Sequence, residues 1–421
     1  MKIWLVNAQE NPAEPRSKVG RRQWRSNSLS EELADRGHSV IRWRSSFSHQ
    51  KKQQLADQST LVNLDNYQQQ FIYSSSYISH VGWERHISHV RLGSEFLRLA
   101  ERAEKPDVIN VCNVPLELCH ACIVYGEKHN VPVIIDIRDL WPDSYVNFIP
   151  KWLTLIKKPT LWLLNRFFRK VAYSYTRARA LTAISEPILD WGLNRISRER
   201  GPLDAVYPMA YPSLSATNTD YAIPEIRRKF GVSADVLVAC YCGNIGFQTD
   251  FDTFFAAAEL LDASSIPIHF VIAGSGPREN ELRARASSMA NVTVLGWLNG
   301  TELAELFHIS SFGLIGFFNS TDYMSSLPNK FSEYLSAGLA LVCGTTGEME
   351  RWITKFDCGI TYDSMNSASL GRSLTELSTN RSYLERVNDN AKKLHKSHFD
   401  LDVVIPQIAN HTESVALRVQ R

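Results

Sequence analysis

Short apolar runs alternate with amphipathic stretches along the first half of the chain. Short apolar runs between turn residues are typical of buried parallel strands. The predicted strands cover residues 3–6, 39–43, 107–111, 131–136 and 180–184. The predicted helices cover residues 28–36, 90–102 and 115–128, and another opens at Ser185. Residues 46–68 are rich in glutamine and lysine, which predicts a loop.

The alternation resumes near residue 236. Predicted strands cover residues 236–242, 268–273, 292–295, 312–318 and 338–343. Predicted helices cover residues 250–261, 277–289, 301–308 and the segment that follows Leu327. Between the two arrays, residues 207–224 hold three prolines and little periodicity, which indicates a linker. Two successive βαβ arrays predict an α/β protein with two Rossmann-like domains, at 1–208 and 222–396.

The chain has 421 residues, which suits two domains of about 200 residues each. It has no run of 18 apolar residues, so we expect no membrane-spanning helix. Met1 and Lys2 lead directly into a first strand that is too short for the apolar core of a signal peptide, so we expect a cytoplasmic protein. Cys119 and Cys122 have the spacing of a metal or redox pair. No second ligand pair follows them, and packing inside a helix is the better interpretation.

The near-neutral total charge hides an uneven distribution. Residues 1–210 hold 29 Lys and Arg against 21 Asp and Glu, whereas residues 211–421 hold 17 against 23. No carboxylate occurs between Asp143 and Glu186, where basic residues alternate with tryptophan, leucine and phenylalanine. A basic, aromatic helix is typical of docking at a membrane surface, here through Trp152, Lys157, Lys158, Trp162, Arg169 and Lys170. A core helix with a solvated basic face is the alternative, and no recognition motif supports nucleic acid.

The segment from Leu327 to Gly338 combines a proline, a polar residue, a lysine and a glutamate at the start of a predicted helix. Pro328 fits the helix start, and Asn329 is expected to cap the free amides. The first turn of a helix attracts anions, and Lys330 adds a full positive charge there. Glu333, one turn on, can accept hydrogen bonds from two hydroxyls. This arrangement suits the ribose and diphosphate of a nucleotide, although an amphipathic helix with a capping pair has the same pattern.

These residues resemble the donor-binding motif of family 4 glycosyltransferases of the GT-B fold. Pro328, Lys330, Glu333 and Tyr334 reproduce the PxKxxEY pattern of the family's bacterial polysaccharide branch. The family usually has another glutamate eight positions before Glu333, where this chain has Ser325. The resemblance covers almost the whole chain. It implies two Rossmann-like domains whose parallel sheets face each other across a cleft, with a final helix at about 397–421 that returns to the first domain.

The resemblance also assigns residues to the donor nucleotide. A first glycine turn would approach the diphosphate, a second would lie beside the nucleotide, and a third stretch would read the base through its backbone. The implied donor-binding residues are Gly243, Asn244, Gly246, Gly274, Gly276, Arg278, Gly296, Trp297, Leu327, Asn329, Lys330 and Glu333. The basic residue that usually follows the first turn is replaced by residues 247–250, so Lys330 would carry more of the charge neutralisation. Plain strand-to-helix joints are the alternative for these turns.

In the first domain, residues 136–144 follow a buried strand and carry several polar side chains. Many members of the family have a histidine–aspartate pair here, and Arg138 and Asp139 occupy that position. Arg138 is the candidate for contacting the sugar or stabilising the leaving diphosphate, with Asp139 orienting it. A structural salt bridge between the two is the alternative. Together with Glu333 they form the candidate catalytic set.

Two further features have more than one interpretation. Ser185 opens a helix after a strand, where it either caps the helix or faces the cleft. His80, His86 and His89 cluster near Trp83, in a region where relatives contact the acceptor. The spacing of these histidines does not match a metal site, and isolated surface histidines are the favoured interpretation.

The resemblance implies a retaining glycosyltransferase that moves a sugar from a nucleoside diphosphate, with UDP favoured, to a lipid-linked or glycan acceptor. The implied pathway is surface polysaccharide biosynthesis (O-antigen, capsule or exopolysaccharide). The resemblance implies no metal or other cofactor, and the basic helix places the protein peripherally on the inner face of the cell membrane. A GT-B sugar-nucleotide epimerase and a non-catalytic sugar-nucleotide-binding scaffold are the alternatives. A dehydrogenase is disfavoured because residues 7–10 lack the GxGxxG pattern after the first strand.

Overall fold

A computed structural model describes residues 1–10, 12, 24–49, 52–77, 82–143, 157–214 and 223–417, and for residues 157–164 it describes the backbone only. The described residues form two compact units. The first contains the described residues up to Pro208 together with those from Ile405 onward, and the second contains Met209–Val404.

The first unit alternates strands and helices. Its strands are β1 (Lys2–Val6), β2 (Ser39–Ser45), β3 (Phe47–Ser48), β4 (Gln53–Gln54), β5 (Thr60–Asn63), β6 (Gln68–Ile72), β7 (Val108–Cys112), β8 (Val133–Ile137), β9 (Ala180–Ala183) and β10 (Ala205–Val206). Its helices before Pro208 are α1 (Arg25–Asp35), α2 (Trp83–Ala100), α3 (Leu116–His129), α4 (Lys157–Arg177) and α5 (Glu186–Asn194). The described strands of the main sheet have the order β10-β9-β8-β7-β1-β2-β6-β5, and every pair is parallel except β5 with β6. β3 and β4 form a separate antiparallel pair.

The segment 46–68, predicted as a loop, contains β3, β4, β5 and the start of β6, so that prediction is wrong. β6 was not predicted because its sequence is polar, and a polar side chain of this strand is buried through a hydrogen bond to the neighbouring strand. Gln69 is buried, and its side-chain carbonyl accepts a hydrogen bond from the Arg42 guanidinium in β2 at 3.0 Å. A strand built in this way lacks the apolar alternation on which the prediction depends.

Aromatic side chains fill the core on one face of this sheet. Trp4 of β1 lies 4.8 Å from Trp43 of β2 and 5.1 Å from Tyr125 of α3, ring centre to ring centre. Phe96 of α2 packs edge-on against Trp43 at 5.1 Å. Large aromatic rings bury much apolar surface, so this cluster joins two strands to two helices.

The helix α3 also contains the cysteine pair that the sequence analysis singled out. Cys119 and Cys122 are both free thiols, and both are buried. Their packing inside the unit is therefore confirmed. Burial raises the pKa of Cys119 well above the ordinary value of a thiol, whereas a reactive thiol has a lowered pKa.

The second unit is built on a parallel sheet of Rossmann type. Its strands are β11 (Leu237–Cys242), β12 (Ile268–Ala273), β13 (Val292–Val294), β14 (Phe312–Ile315), β15 (Ala340–Cys343) and β16 (Gly359–Thr361). Its helices are α6 (Ile223–Lys229), α7 (Phe251–Ala263), α8 (Glu279–Ala286), α9 (Gly300–Ile309), α10 (Thr321–Ser325), α11 (Asn329–Ala337), α12 (Glu348–Phe356), α13 (Ser367–Thr379) and α14 (Arg381–Leu394). The strand order is β13-β12-β11-β14-β15-β16. The chain adds strands on one side of β11 up to β13 and then continues on its other side with β14, so the order reverses between β11 and β14. Ligands of open α/β sheets bind where the order reverses, at the carboxyl ends of the strands.

The last helix, α15 (Leu401–Leu417), starts in the second unit and continues in the first. A short π-helical turn at His395–Phe399 precedes it. Beyond Ile405 it is bound to the first unit through His411, whose ring lies 2.8 Å from the carbonyl oxygen of Leu203. Arg36 of α1 also donates to the Asn410 side chain at 2.6 Å.

Two strand-to-helix turns of the second unit lie against each other. Gly243 follows β11 and Gly274 follows β12, with φ angles of +147° and +144°. A β-carbon at Gly274 would lie 1.8 Å from the carbonyl oxygen of Gly243. Only glycine allows the two backbones to approach this closely.

We therefore expect Gly274→Ala to lower the free energy of unfolding by about 1–3 kcal/mol, the range for forced overpacking. Gly371→Ala is the matched control, because Gly371 lies inside α13 and nothing lies within 4 Å of its β-carbon position. The control should gain about 0.4–1 kcal/mol from the reduced entropy of the unfolded chain. Urea unfolding followed by circular dichroism measures both changes. A Gly274→Ala protein as stable as the wild type would contradict the close contact.

Candidate active site

The start of α11 lies next to the point where the strand order of the second unit reverses. Pro328 is the N-cap of this helix, and Asn329 is already its first helical residue. The prediction that Asn329 caps the helix is therefore wrong. A proline side chain has no acceptor, and the N-cap makes no side-chain hydrogen bond to the first turn. The Phe331 amide donates to the Pro328 carbonyl at 2.9 Å, so the amides of Asn329 and Lys330 are the ones left for a ligand or for water at the start of α11.

The Lys330 ammonium group lies against the first glycine turn. Its side chain is buried, with Nζ 3.8 Å from the ring centre of Tyr241 and 4.5 Å from that of Phe317. A β-carbon at Gly243 would lie 3.4 Å from this nitrogen. The structure thus brings together Lys330 and Gly243, which are far apart in sequence. Two aromatic faces hold the charge in place without neutralising it.

Glu333 lies one turn after Lys330 on the same helix, and its side chain is buried. Residues three apart share a helix face, so the carboxylate and the ammonium group face the same side of the unit. Leu327, immediately before the helix, is also buried and belongs to the core below it. This part of the unit offers a fixed cation, free helix amides and an acceptor within one turn.

Tyr334 has a structural role that the sequence analysis did not assign. Its hydroxyl accepts a hydrogen bond from the Cys242 amide at 2.8 Å, so α11 is attached to the last residue of β11. Its ring fills the space at Gly313, where a β-carbon would lie 2.4 Å from the ring. The signal was present in the sequence as a glycine inside β14 and an aromatic residue in the motif.

Most of the other glycines assigned to the nucleotide lie where one strand-to-helix turn packs closely against another. A β-carbon at Gly276 would lie 2.3 Å from the carbonyl oxygen of Ile245. The Gly296 carbonyl accepts a hydrogen bond from the Gly274 amide at 3.0 Å. At Gly246, a β-carbon would meet only the ends of polar side chains, at 2.4 Å from Gln248 and 2.8 Å from Asn244.

Two residues flank these turns with different surroundings. The Asn244 carbonyl accepts a hydrogen bond from the Tyr241 hydroxyl at 2.8 Å, which orders the first turn. Trp297 follows the third stretch, and 61% of its surface is exposed. The Trp297 ring is therefore accessible to solvent beside these turns.

Arg278 follows the second glycine turn and was assigned to the nucleotide. Its guanidinium group is held by Glu281 at 2.6 Å and by Asp252 at 3.3 Å. The hydrogen bond with Glu281 is the main reason why the pKa of Arg278 lies above its ordinary value. The structure places this charge between α7 and α8, in a network of surface ion pairs.

In the first unit, Arg138 lies in a buried charge network after β8. It contacts Asp136 through Nε at 2.8 Å and Glu10 through Nη1 at 2.5 Å, and Arg25 approaches the other oxygen of Asp136 at 3.3 Å. Glu10 also accepts a hydrogen bond from the Ser26 amide at 2.9 Å, at the start of α1. Only 16% of the Arg138 side chain is exposed.

The charges in this network stabilise one another. Burial opposes ionisation of Asp136, but Arg25 and Arg138 outweigh burial and lower the pKa of this carboxyl to about 2. The same balance lowers the pKa of Glu10, where Arg138 and Arg42 outweigh burial. Burial disfavours the charged form of Arg138, yet Asp136 and Glu10 raise its pKa well above the ordinary value.

Asp139 follows Arg138 directly in the chain. It is exposed, and its backbone carbonyl accepts a hydrogen bond from the Asn113 side chain at 2.8 Å. Asp136 and Glu10 are carboxylates that contact Arg138, and the orienting role of Asp139 stays a prediction. Sequence reasoning missed Glu10 because 128 residues separate it from Arg138.

Ser185 caps α5, since its hydroxyl accepts a hydrogen bond from the Ile188 amide at 3.4 Å. His86 and His89 of α2 lie near the Glu117 carboxylate, at 3.7 Å and 3.9 Å. His89 is buried, so the expectation of isolated surface histidines is wrong for it. His80 lies outside the described residues.

The predicted membrane-docking residues lie on or before α4. Arg169 is exposed, whereas the Lys170 ammonium lies 3.5 Å from the Glu117 carboxylate. Trp152 lies outside the described residues, as do the side chains of Lys157, Lys158 and Trp162. Among the helices that the structure describes, none has the length and apolar character needed to cross a bilayer.

Comparisons with known proteins concern the fold of the chain and the family of its second unit. Residues 222–394 match the family model described as Glycosyl transferases group 1. No curated protein matches the chain. A solved sucrose-phosphate synthase from Thermosynechococcus elongatus is 12% identical, with a TM-score of 0.73 and 99% of each chain covered.

Two further solved structures are similar over nearly the whole chain. Alr3699/HepE of Anabaena, in complex with UDP and glucose, is 12% identical with a TM-score of 0.67, covering 98% of this chain and 100% of that one. WaaG, a glycosyltransferase involved in lipopolysaccharide biosynthesis, is 13% identical with a TM-score of 0.67, covering 97% and 99%. At these identities the structural likeness concerns the fold, and the family match concerns the second unit. The chain therefore has the GT-B fold, its second unit carries a Glycosyl transferases group 1 domain, and the protein is a glycosyltransferase.

Proposed function

We propose that the protein is a retaining glycosyltransferase that uses a UDP-sugar donor and a lipid-linked glycan acceptor in surface polysaccharide assembly. The observation that carries the donor assignment is the position of the Lys330 ammonium against the Gly243 turn, with Glu333 one turn on. The diphosphate would bind Lys330 and the open amides of α11, and the ribose hydroxyls would donate to Glu333. The solved complex of HepE with UDP and glucose supports UDP as the nucleotide.

The proposed reaction needs no protein nucleophile. The acceptor hydroxyl forms a bond to the anomeric carbon on the face from which the diphosphate leaves. The bond from that carbon to the diphosphate oxygen breaks, and the same oxygen takes the proton of the hydroxyl. Lys330 and the amides of α11 stabilise the charge on the departing UDP, the role that a metal ion has in other enzymes. We therefore propose a metal-independent enzyme.

The polysaccharide pathway is supported by the PxKxxEY pattern at Pro328 to Tyr334 and by the likeness to WaaG, which is involved in lipopolysaccharide biosynthesis. Ser325, in place of a second glutamate, is the feature that favours a non-catalytic nucleotide-sugar-binding scaffold instead. A transfer assay with a panel of UDP- and GDP-sugars and a membrane extract as acceptor source distinguishes the glycosyltransferase from the scaffold and from the epimerase. Transfer excludes the scaffold, and donor hydrolysis or epimerisation without an acceptor would point to the epimerase.

Docking at the inner membrane face is proposed for the surface formed by α2 and α4. The ring of His86 in α2 lies 5.3 Å from that of Phe167 in α4, so the two helices are neighbours. Arg166 and Arg169 are exposed on α4. On α2, Trp83 is 67% exposed, and Ile87 and Val90 are exposed at the spacing of one helix face. Exposed apolar side chains beside basic ones suit an anionic lipid surface.

We expect Lys330→Ala and Glu333→Gln to weaken UDP binding about 10- to 100-fold each, because a charge-assisted hydrogen bond is worth about 1.5–3 kcal/mol. Lys229→Ala is the matched control, since Lys229 is a lysine of the same unit that pairs with Glu305 at 2.6 Å on α9. Calorimetric titration with UDP measures the affinities, and circular dichroism checks the fold. Wild-type affinity in both variants would remove these residues from the donor site.

We expect Arg138→Lys to lower the melting temperature more than it lowers turnover per folded molecule. Lysine cannot hold Asp136 and Glu10 with a fork of donors, so the buried network loses partners. Asp139→Asn should change neither quantity by much, because Asp139 is exposed to solvent. The two quantities come from thermal unfolding and from initial rates normalised to folded protein. An Arg138→Lys enzyme with unchanged stability and turnover reduced more than 100-fold would contradict this structural role and support a catalytic role of Arg138.

Replacing Arg166 and Arg169 with glutamate should reduce binding to vesicles of anionic lipid at least 10-fold, since each basic residue near such a surface contributes about 1 kcal/mol. The control replaces Arg381 and Arg386 with glutamate, two exposed arginines of α14 in the second unit. Co-sedimentation at low and high salt measures the binding. Equal binding by both double variants and by the wild type would exclude this docking surface.

A further inference from the structure

The two aromatic rings beside the Lys330 ammonium come from different segments of the second unit. Tyr241 is the last residue but one of β11, and Phe317 lies two residues after β14. Both rings are buried, and Nζ lies 3.8 Å from the centre of the first and 4.5 Å from the centre of the second. We call these two residues the aromatic pair. Among the described residues, the ammonium has no ion pair with a carboxylate, so contact with the aromatic pair fixes its position.

Neighbouring rings hold the aromatic pair in place. Phe251 meets the Tyr241 ring edge-on, with 4.9 Å between the ring centres. Tyr323 stacks on Phe317 at 4.1 Å, with 5° between the ring planes. Close-packed side chains in a protein interior have little room to change their orientation. The ammonium group that contacts these rings is therefore confined to one position.

The Tyr241 hydroxyl binds both ends of the first glycine turn. It donates to the Asn244 carbonyl at 2.8 Å, near the start of the turn. The Thr249 hydroxyl, at the end of the turn, lies 3.0 Å from the same phenolic oxygen. Thr249 is the donor of this second bond, because the single phenolic proton is used for Asn244. One side chain thus holds the turn with its hydroxyl and the lysine with its ring face.

A backbone contact joins the turn to the other member of the aromatic pair. Thr249 forms an isolated antiparallel bridge with Phe317, and the Phe318 amide donates to the Gln248 carbonyl at 3.0 Å. The end of the turn is therefore bound to the segment that carries the second ring. Turn, rings and ammonium form one connected group, and Tyr241 contacts the ammonium and both ends of the turn.

We propose that Tyr241 is a positioning residue of the donor site, which sets the Lys330 ammonium and the first glycine turn in the relative position that binds the diphosphate. The inference rests on the proposed function, because it takes the diphosphate as the ligand of Lys330. A cation held by ring faces keeps its full charge, whereas a carboxylate partner would compete with the phosphates for it. Loss of the ring should therefore affect binding of the diphosphate and leave binding of the base and ribose unchanged.

The test compares UDP with uridine, which has the same base and ribose but no diphosphate. In calorimetric titrations, Tyr241→Leu should weaken UDP binding about 10-fold and leave uridine binding unchanged, since a desolvated cation–π contact has roughly this effect. Tyr241→Phe keeps the ring face and should retain most of the UDP affinity. In a Lys330→Met background, Tyr241→Leu should weaken UDP binding much less than in the wild-type background, because the group through which it acts is absent.

Two further variants complete the test. Tyr383→Leu is the matched control, because Tyr383 of α14 also has a cation over its ring, Arg386 at 5.0 Å, but belongs to no part of the proposed donor site. Its loss should leave binding of UDP and of uridine unchanged. Phe317→Leu removes the other ring of the aromatic pair and should reproduce the selective loss of UDP binding, so it replaces Tyr241→Leu if that variant does not fold.

Three results would overturn the positioning role. The first is wild-type UDP affinity in Tyr241→Leu, or in Phe317→Leu where Tyr241→Leu does not fold. The second is an equal loss of UDP and uridine binding, which would indicate general loosening of the unit. The third is an equal loss of UDP affinity in the wild-type and Lys330→Met backgrounds. Each of these leaves the proposed donor intact, whereas a wild-type protein that does not bind UDP overturns the proposed donor and the positioning role together.

Discussion

The hydrogen bond from the Cys242 amide to the Tyr334 hydroxyl fixes α11 against the end of β11. The geometry of the proposed nucleotide-sugar site depends on this bond. Lys330 lies one turn before Tyr334, so the bond that places the ring also places the ammonium group beside the Gly243 turn. Gly313 leaves the space that the ring fills. A motif that reads as functional therefore divides into two parts. Its lysine and glutamate are the residues proposed to bind the nucleotide, and its tyrosine fixes the helix that carries them.

The two units stabilise positive charge in different ways. In the second unit the Lys330 ammonium lies near the faces of Tyr241 and Phe317, and among the described residues it has no ion pair with a carboxylate. In the first unit several arginines share Glu10 and Asp136, and burial strengthens each of these interactions. The aromatic arrangement leaves the full charge for a ligand. In the carboxylate arrangement the arginine charges stabilise the fold through Glu10 and Asp136.

The strand and helix pattern was predictable because the strands of both sheets are short apolar runs with turn residues at their ends. The prediction failed where a polar side chain meets its partner on another strand, as Gln69 does with Arg42. It also failed at Asn329, because Pro328 enters the helix in an extended conformation and becomes the N-cap itself. The lysine and glutamate of the donor motif were visible because they are close in sequence. Glu10 and Arg25 were not, because only the order of parallel strands brings them to Arg138.

The case of Arg138 shows why neighbours in sequence are poor guides to ion pairs at the end of a strand. Asp136 lies two residues before Arg138. Alternate residues of a strand face the same side of the sheet, so the two side chains lie on one side. Asp139 is one residue further on and lies exposed to solvent. Arg138 therefore joins the end of β8 to the loop after β1, through Glu10, and Glu10 in turn joins that loop to the start of α1. These contacts hold the two loops and the helix start together at this edge of the sheet, and a contact of Arg138 with the substrate stays a prediction.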